Sequence, residues 1–211
     1  MVKYFSIFIL YILSFFSMHA QTRDSIAGEY YLQGVMETAS GFQLLPDSSF
    51  QFFYSYGAVD RYGSGKWSLQ NGHVILNSKK KPESDFTLVK TRSTKNPNVT
   101  IKINHPNSNI LGHFECTVIS DKKLRQLQTN PGGIAVFPLQ KVDSIYLLFQ
   151  FCPDRYSSFA VPDNKNYFEF KLEPSIAEVF FEEFILSLTD SGLSGGHPLL
   201  QGGGYRYVKN N

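Results

Sequence analysis

The sequence predicts an all-β protein built from antiparallel strands. Apolar residues recur at every second position through much of the chain, the signature of half-buried strands. Clusters of Pro, Asp, Asn, Ser and Gly interrupt these runs at short intervals. Aromatics make up 15% of the 211 residues, with 19 Phe and 12 Tyr against one Trp, and such residues suit pleated surfaces packed against a core.

The chain opens on a different pattern. Lys3 precedes an uncharged apolar run from Phe5 to Phe16, and Ser17-Met18-His19-Ala20 follows as a cleavage region, with Gln21 starting the mature chain. This is the layout of a secretory signal peptide over residues 1–20. The run is short of the about 20 apolar residues that cross a bilayer. No later run is long enough either, so no membrane span is expected after processing. An exported, periplasmic or extracellular protein is the expectation.

From Gly28 onward the period is two. Phe50, Phe52, Tyr54 and Tyr56 share one face of a strand, and Gln51, Phe53 and Ser55 share the other. Val99, Ile101 and Ile103 alternate with Thr100 and Lys102; Phe168, Phe170 and Leu172 with Glu169 and Lys171; Phe184, Leu186 and Leu188 with Ile185 and Ser187. Pro46-Asp47-Ser48-Ser49 pre-sets a turn, with proline fixing φ and aspartate bonding the backbone ahead. Asn71-Gly72 suits the two positive φ angles of a tight hairpin. Asn130-Pro131-Gly132-Gly133, Pro162-Asp163-Asn164 and Asp190-Ser191-Gly192 are further breakers. Helix signals are sparse: one or two turns over Asp121 to Leu127, and another from Ser175 to Phe181 with Ser175 as cap and Glu178 three residues later.

Two seams divide the mature chain. Ser78 to Asp85 holds no apolar residue besides proline, and Glu173-Pro174-Ser175 marks the second. The segments are residues 21–77, 86–172 and 176–211. The last holds two strand candidates, Phe184 to Leu188 and Tyr205 to Val208, and a lone hairpin is marginal in water. We therefore expect it to pair with the first segment and complete a barrel-like sheet, leaving 86–172 as an inserted module. The competing topology is two consecutive domains.

The first segment carries a pattern. Gly28-Glu29-Tyr30-Tyr31-Leu32 opens it, Pro46-Asp47-Ser48-Ser49-Phe50 makes a hairpin, and Gly65-Lys66-Trp67 precedes Asn71-Gly72. This resembles the lipocalin-like β-meander of small secreted bacterial proteins, with Ser48 standing where glycine is usual. The resemblance covers about fifty residues and implies a fold, since its motifs specify hairpins and not chemistry. Residues 86–172 look more loosely like the transthyretin-like or immunoglobulin-like β-sandwich modules of secreted proteins. That likeness rests on Val99 to Ile103, Leu127 to Phe137 and Tyr167 to Phe170.

Composition narrows the function. Twenty basic and 18 acidic residues give a net charge of +2 and form no basic stripe, so nucleic acid is not an expected partner. Lys79-Lys80-Lys81 reads as a solvated linker. The histidines lack metal-ligand spacing, and no motif calls for a cofactor. Cys116 and Cys152 fit either one disulfide, which would contribute roughly 3–4 kcal/mol, or two buried thiols. Glu182-Glu183 is a carboxylate pair, but strand neighbours point to opposite faces. Ser194-Gly195-Gly196 and Gly202-Gly203-Gly204 read as flexible hairpin loops.

One stretch suggests recognition. Tyr56 to Gly63 reads as a polar-aromatic loop, and Glu37-Thr38-Ala39-Ser40 as a second loop nearby in sequence. Glu37, Asp60, Arg61 and Tyr62 combine acidic, basic and aromatic groups, which suits a sugar or another small polar ligand. The competing reading makes Tyr54, Tyr56 and Trp67 core residues and Asp60-Arg61 a loop ion pair. The sequence thus favours a non-enzymatic binding or interaction protein of the cell envelope, its partner a small polar or carbohydrate ligand or an envelope protein. The alternatives are a hydrolase acting on envelope polysaccharide or peptide through unidentified carboxylates, and a structural accessory domain. If export is correct, mass spectrometry of the secreted protein will find its N-terminus near Gln21; an intact Met1 on a cytoplasmic protein refutes it.

Overall fold

The computed structural model describes residues 25–162 and 164–210. The expected signal peptide, residues 1–20, and Asp163 of the Pro162-Asp163-Asn164 breaker lie outside the described residues. The fold is all-β. Its strands are β1 (Gly28–Gln33), β2 (Thr38–Leu44), β3 (Ser49–Tyr56), β4 (Val59–Gln70), β5 (His73–Asn77), β6 (Phe86–Arg92), β7 (Val99–Asn104), β8 (Phe114–Ser120) and β9 (Lys123–Gln128), followed by β10 (Ile134–Phe137), β11 (Ser144–Phe149), β12 (Tyr156–Ala160), β13 (Tyr167–Leu172), β14 (Glu178–Val179), β15 (Phe184–Thr189), β16 (Gly192–Gly195) and β17 (Tyr205–Asn210). They fall into two compact units. One holds the described residues through Lys81 together with those from Val179 onward; the other is Pro82–Glu178.

The first unit is an eight-stranded antiparallel barrel, consistent with a lipocalin-like meander. Strands β1 to β5 pair in succession. β5 pairs with β15, β15 with β16, β16 with β17, and β17 returns to β1. Closure removes the free edges that would otherwise template aggregation. The turns are those the local chemistry dictates. Asn71 and Gly72 take φ of 50° and 78° between β4 and β5. Asp47 Oδ1 accepts the Ser49 N–H at 2.9 Å. Ser48 adopts φ 65°, the left-handed conformation for which glycine is the usual residue.

The barrel interior is filled. Along β3, Phe50, Phe52 and Tyr54 are buried while Gln51 and Phe53 are exposed, as a period of two requires. Phe181 stands at the centre, edge-to-face on Phe50, Phe52 and Phe184 at centroid distances of 5.1, 5.3 and 5.4 Å. Such pairs add about 0.5–1.5 kcal/mol each beyond area burial. Gly63 makes the room: a Cβ there would lie 2.7 Å from the Phe181 ring and from the Val179 carbonyl. Trp67 is buried, and its indole N–H donates to the Leu45 carbonyl at 2.9 Å.

The second unit has two four-stranded sheets, ordered β10-β7-β13-β6 and β12-β11-β8-β9. They share one core, with Phe86 against Phe114 and Phe159 against Phe170 across the gap. β13 runs parallel to β7 and antiparallel to β6. Cys116 and Cys152 both lie in this core as thiols. Burial pushes the Cys116 pKa up to about 12, with the Glu115 carboxylate adding to the effect. That thiol is therefore a small hydrophobe and a poor nucleophile at neutral pH.

Both expected helices are absent. Asp121 and Lys122 take φ of 48° and 63° and form the tight turn of the β8–β9 hairpin, which leaves Lys123–Gln128 extended and exposed. The spacing of Leu124 and Leu127 mimics a helical face, but the two positive φ angles break any helix at its start. Over Ser175 to Phe181 there is a single 3-10 turn, Pro174–Ala177, followed by β14. Ser175 caps nothing; its hydroxyl lies 3.3 Å from Asp85 Oδ1. Glu182 and Glu183 are exposed in a bend before β15, not within a strand.

Asp85 organises the base of the second unit. Its carboxylate receives both Nε, at 2.8 Å, and Nη2 of Arg155, and both side chains are almost fully buried. Arg155 Nη1 donates to the Glu178 carbonyl at 2.7 Å. The Asp85 backbone N–H donates to Ser157 Oγ, and its carbonyl accepts from the Glu173 N–H. Breaking a buried pair leaves an uncompensated charge, at a cost of about 3–5 kcal/mol. Asp85→Ala or Arg155→Ala alone should lower the urea midpoint followed by far-UV circular dichroism by that equivalent. The double change Asp85→Leu with Arg155→Met should cost less than the sum of the two single losses.

Candidate functional site

The barrel presents two polar-aromatic clusters, one inside and one outside. The inner one is built on His197, in the connection from β16 to β17. His197 is buried among Phe52, Tyr54, Tyr205 and Tyr207. Its Nδ1 accepts the Leu199 backbone N–H at 3.1 Å. The ring proton therefore sits on Nε2 and donates to Ser40 Oγ at 3.0 Å, and Ser40 donates to the Phe53 carbonyl at 2.8 Å. Burial lowers the His197 pKa to about 4.

This arrangement resembles a serine–histidine pair only in composition. A general base needs Nε2 unprotonated toward the hydroxyl and a partner on Nδ1–H. Here both nitrogens are engaged in the opposite sense, and Ser40 is buried on β2. The chain of bonds instead fastens the glycine-rich connection to the barrel, with Leu199 and Leu200 packed on the core. Ser194 and Gly195 belong to β16 and not to a loop, which corrects the expectation of a flexible loop there, while Gly202-Gly203-Gly204 lie exposed in the connection.

The outer cluster comes from strand register. Val208 of β17, Tyr31 of β1, Gly41 of β2, Phe53 of β3 and Tyr62 of β4 are successive cross-strand partners. They form one outward row. Tyr31, Phe53 and Tyr62 are 38%, 40% and 50% exposed. Gly41 is buried beneath this row: a Cβ there would lie 2.3 Å from the Tyr30 carbonyl and 3.0 Å from the Phe53 ring, so the glycine lets that ring lie close over the strand. Tyr31 and Phe53 meet edge-on at 5.9 Å. The flanking row is polar throughout, with Glu29, Gln43 and Gln51 opposite one another. Glu29, Tyr31, Gln43, Gln51 and Phe53 line a groove of about 160 Å³. The Tyr31 hydroxyl donates to Glu29 Oε2 at 2.8 Å, and this bond raises the phenol pKa, with desolvation and the carboxylate charge adding to it.

The four residues singled out from sequence do not converge on one cleft: one faces the barrel interior, two face outward and one lies in a turn. Residues 59 onward are not a loop but β4, joined to β3 by the two-residue turn Gly57-Ala58. Alternate residues then face opposite ways. Asp60 and Tyr62 point outward, and Arg61 is buried inside beside Tyr54. Burial raises the Tyr54 pKa, Tyr56 adds to the rise and the Arg61 guanidinium opposes it. Thr38 to Ser40 likewise belong to β2, not a loop, while Glu37 sits in the β1–β2 turn with φ 57°. That turn and Gly57-Ala58 lie at the same end of the sheet, since Thr38 pairs with Tyr56. Tyr54 and Trp67 are core, whereas Tyr56 is 48% exposed.

The groove residues were overlooked from sequence, although one signal was present. Phe53 falls on the polar face of its strand, between Gln51 and Ser55, where burial cannot be its role. Tyr31 gave no such signal, because its neighbour Tyr30 is equally aromatic and is the buried one.

Among the described residues, no three His, Cys, Asp or Glu side chains are placed to share a metal ion, and no helix is long and apolar enough to cross a membrane. No protein-family model, curated protein or solved structure matches the chain.

The inner cluster makes barrel stability depend on pH. Unfolded, His197 takes up a proton near 6.5; folded, it resists until about 4. The unfolded state binds more protons in that window, so stability is full above 6.5 and falls as pH drops through it. The fluorescence of Trp67, the sole tryptophan and a barrel residue, should report a urea midpoint that declines from pH 6.5 to 4. In His197→Gln that His-dependent decline should disappear.

Proposed function

We propose that this chain is an exported binding or interaction protein of the cell envelope, and that it recognises its ligand on the outside of the barrel. Residues 21–77 and 176–211 form the recognition unit, and 86–172 an inserted module. The observation that supports this reading is the contrast between the two faces of β1 to β4. Inside, aromatic rings fill the space and Ser40 and His197 bond to one another. Outside, three aromatic rings stay partly exposed in one row beside Glu29, Gln43 and Gln51. Scattered exposed apolar residues need no explanation, but an ordered row rimmed by polar groups is the form binding surfaces take. Asp60 and Tyr62 extend that face, so two of the four residues marked in the sequence belong to it.

The test is retention on insoluble envelope material. The purified mature protein should co-sediment with it, and Tyr31→Ala with Phe53→Ala should abolish retention without shifting the Trp67 fluorescence transition. Equal retention of the double variant, or none by the wild type, overturns the proposal.

A further inference from the structure

Resting on that reading, we infer that the groove lined by Glu29, Gln43 and Gln51 beside Tyr31 and Phe53 takes a neutral pyranose, and that the aromatic row lets it hold several sugars of one oligosaccharide. The groove chemistry selects this class over others. Its polar lining is one carboxylate and two amides, Glu29, Gln43 and Gln51, and no lysine or arginine lines it. An anionic ligand would find no counter-charge there. A peptide adding as a strand needs an unpaired sheet edge, but β1, β2 and β3 are each paired on both sides.

A sugar ring answers each feature. Its C–H face is apolar and flat enough to lie on Tyr31 or Phe53, two partly exposed rings that line the groove. Its hydroxyls donate and accept at once. An amide does the same, so Gln43 and Gln51 can each exchange two bonds with neighbouring hydroxyls. Glu29 only accepts, and the Tyr31 hydroxyl occupies Oε2, which leaves Oε1 for a sugar hydroxyl. A methylated ammonium could sit between the two rings beside Glu29, but it would offer the amides nothing to bond.

The row also has length. Val208 to Tyr62 spans five adjacent strands, four spacings of about 4.8 Å, or roughly 19 Å. Tyr62 provides a further aromatic face beyond Phe53. Affinity should therefore grow from a monosaccharide to a hexasaccharide, as successive rings engage the row.

The experiment is titration calorimetry of the mature protein with cellohexaose, maltohexaose and chitohexaose, their monosaccharides, and choline chloride. At least one hexasaccharide should bind, and more tightly than its monomer. Tyr31→Ala and Phe53→Ala should each weaken it about tenfold or more. Tyr31→Phe keeps the ring and should stay within about threefold. Trp67 fluorescence identifies any variant that has unfolded, and Tyr31→Phe serves as the folded comparison. If Tyr31 and Phe53 govern retention on envelope material while no neutral sugar binds, the sugar class is overturned and the binding reading stands. Choline binding in place of sugars also overturns the sugar class. Sugar binding that is unaffected by both alanine changes overturns the site. Loss of both retention and sugar binding in the wild type refutes both proposals.

Discussion

The barrel depends on how its interior is filled. An eight-stranded barrel is just wide enough for side chains to occupy its centre, and here Phe181 does so. Its ring meets Phe42, Phe50, Phe52 and Phe184, and the backbone beside it fits because position 63 has no Cβ. Removing a buried phenylalanine typically costs about 3–5 kcal/mol, a large share of the stability of a domain this size. The aromatic rings around Phe181 thus make the barrel interior a packed core.

The second unit rests on a different kind of constraint. Arg155 has five N–H donors in a rigid fork, and the structure directs three of them, two to Asp85 and one to the Glu178 carbonyl. Asp85 stands at the beginning of the unit and Glu178 at its end. One side chain thereby ties the two ends of a segment nearly one hundred residues long. A buried ion pair of this kind is costly to desolvate and adds little net stability over an apolar substitute. What it contributes is geometry, since one guanidinium holds Asp85 and the Glu178 carbonyl at fixed positions.

The two polar clusters of the barrel show how the same residue types serve opposite ends. Ser40 and His197 sit among rings and bond to one another, with Tyr54 packed on the imidazole, so they hold the β16–β17 connection in place. Glu29, Gln43 and Gln51 sit beside rings on the other side of the same strands, with bonding capacity turned to solvent. Alternation along β2 and β3 separates the two sets by a single residue step: Ser40 faces in and Gly41 out, Phe52 in and Phe53 out.

The sequence by itself determined the strands and their turns. Period-two runs marked β3, β7, β13 and β15, because local pleating imposes that period whatever lies nearby. Asn71-Gly72 and Pro46-Asp47 marked hairpins through φ preferences and side-chain-to-backbone bonds that need no distant partner. The presence of Phe53 on a polar face was equally visible. Tertiary structure alone decided the rest. Whether Tyr56 to Gly63 was a loop or a hairpin turned on where pairing resumed, and that one matter set Arg61 inside and Asp60 and Tyr62 outside. Asp121 to Leu127 became a strand because β8 offered a hydrogen-bonding edge to an already reversed chain. The row Val208–Tyr31–Gly41–Phe53–Tyr62 exists only in register between strands from both ends of the chain. Register is a relation between segments far apart in sequence, and no local pattern encodes which residue will lie opposite which.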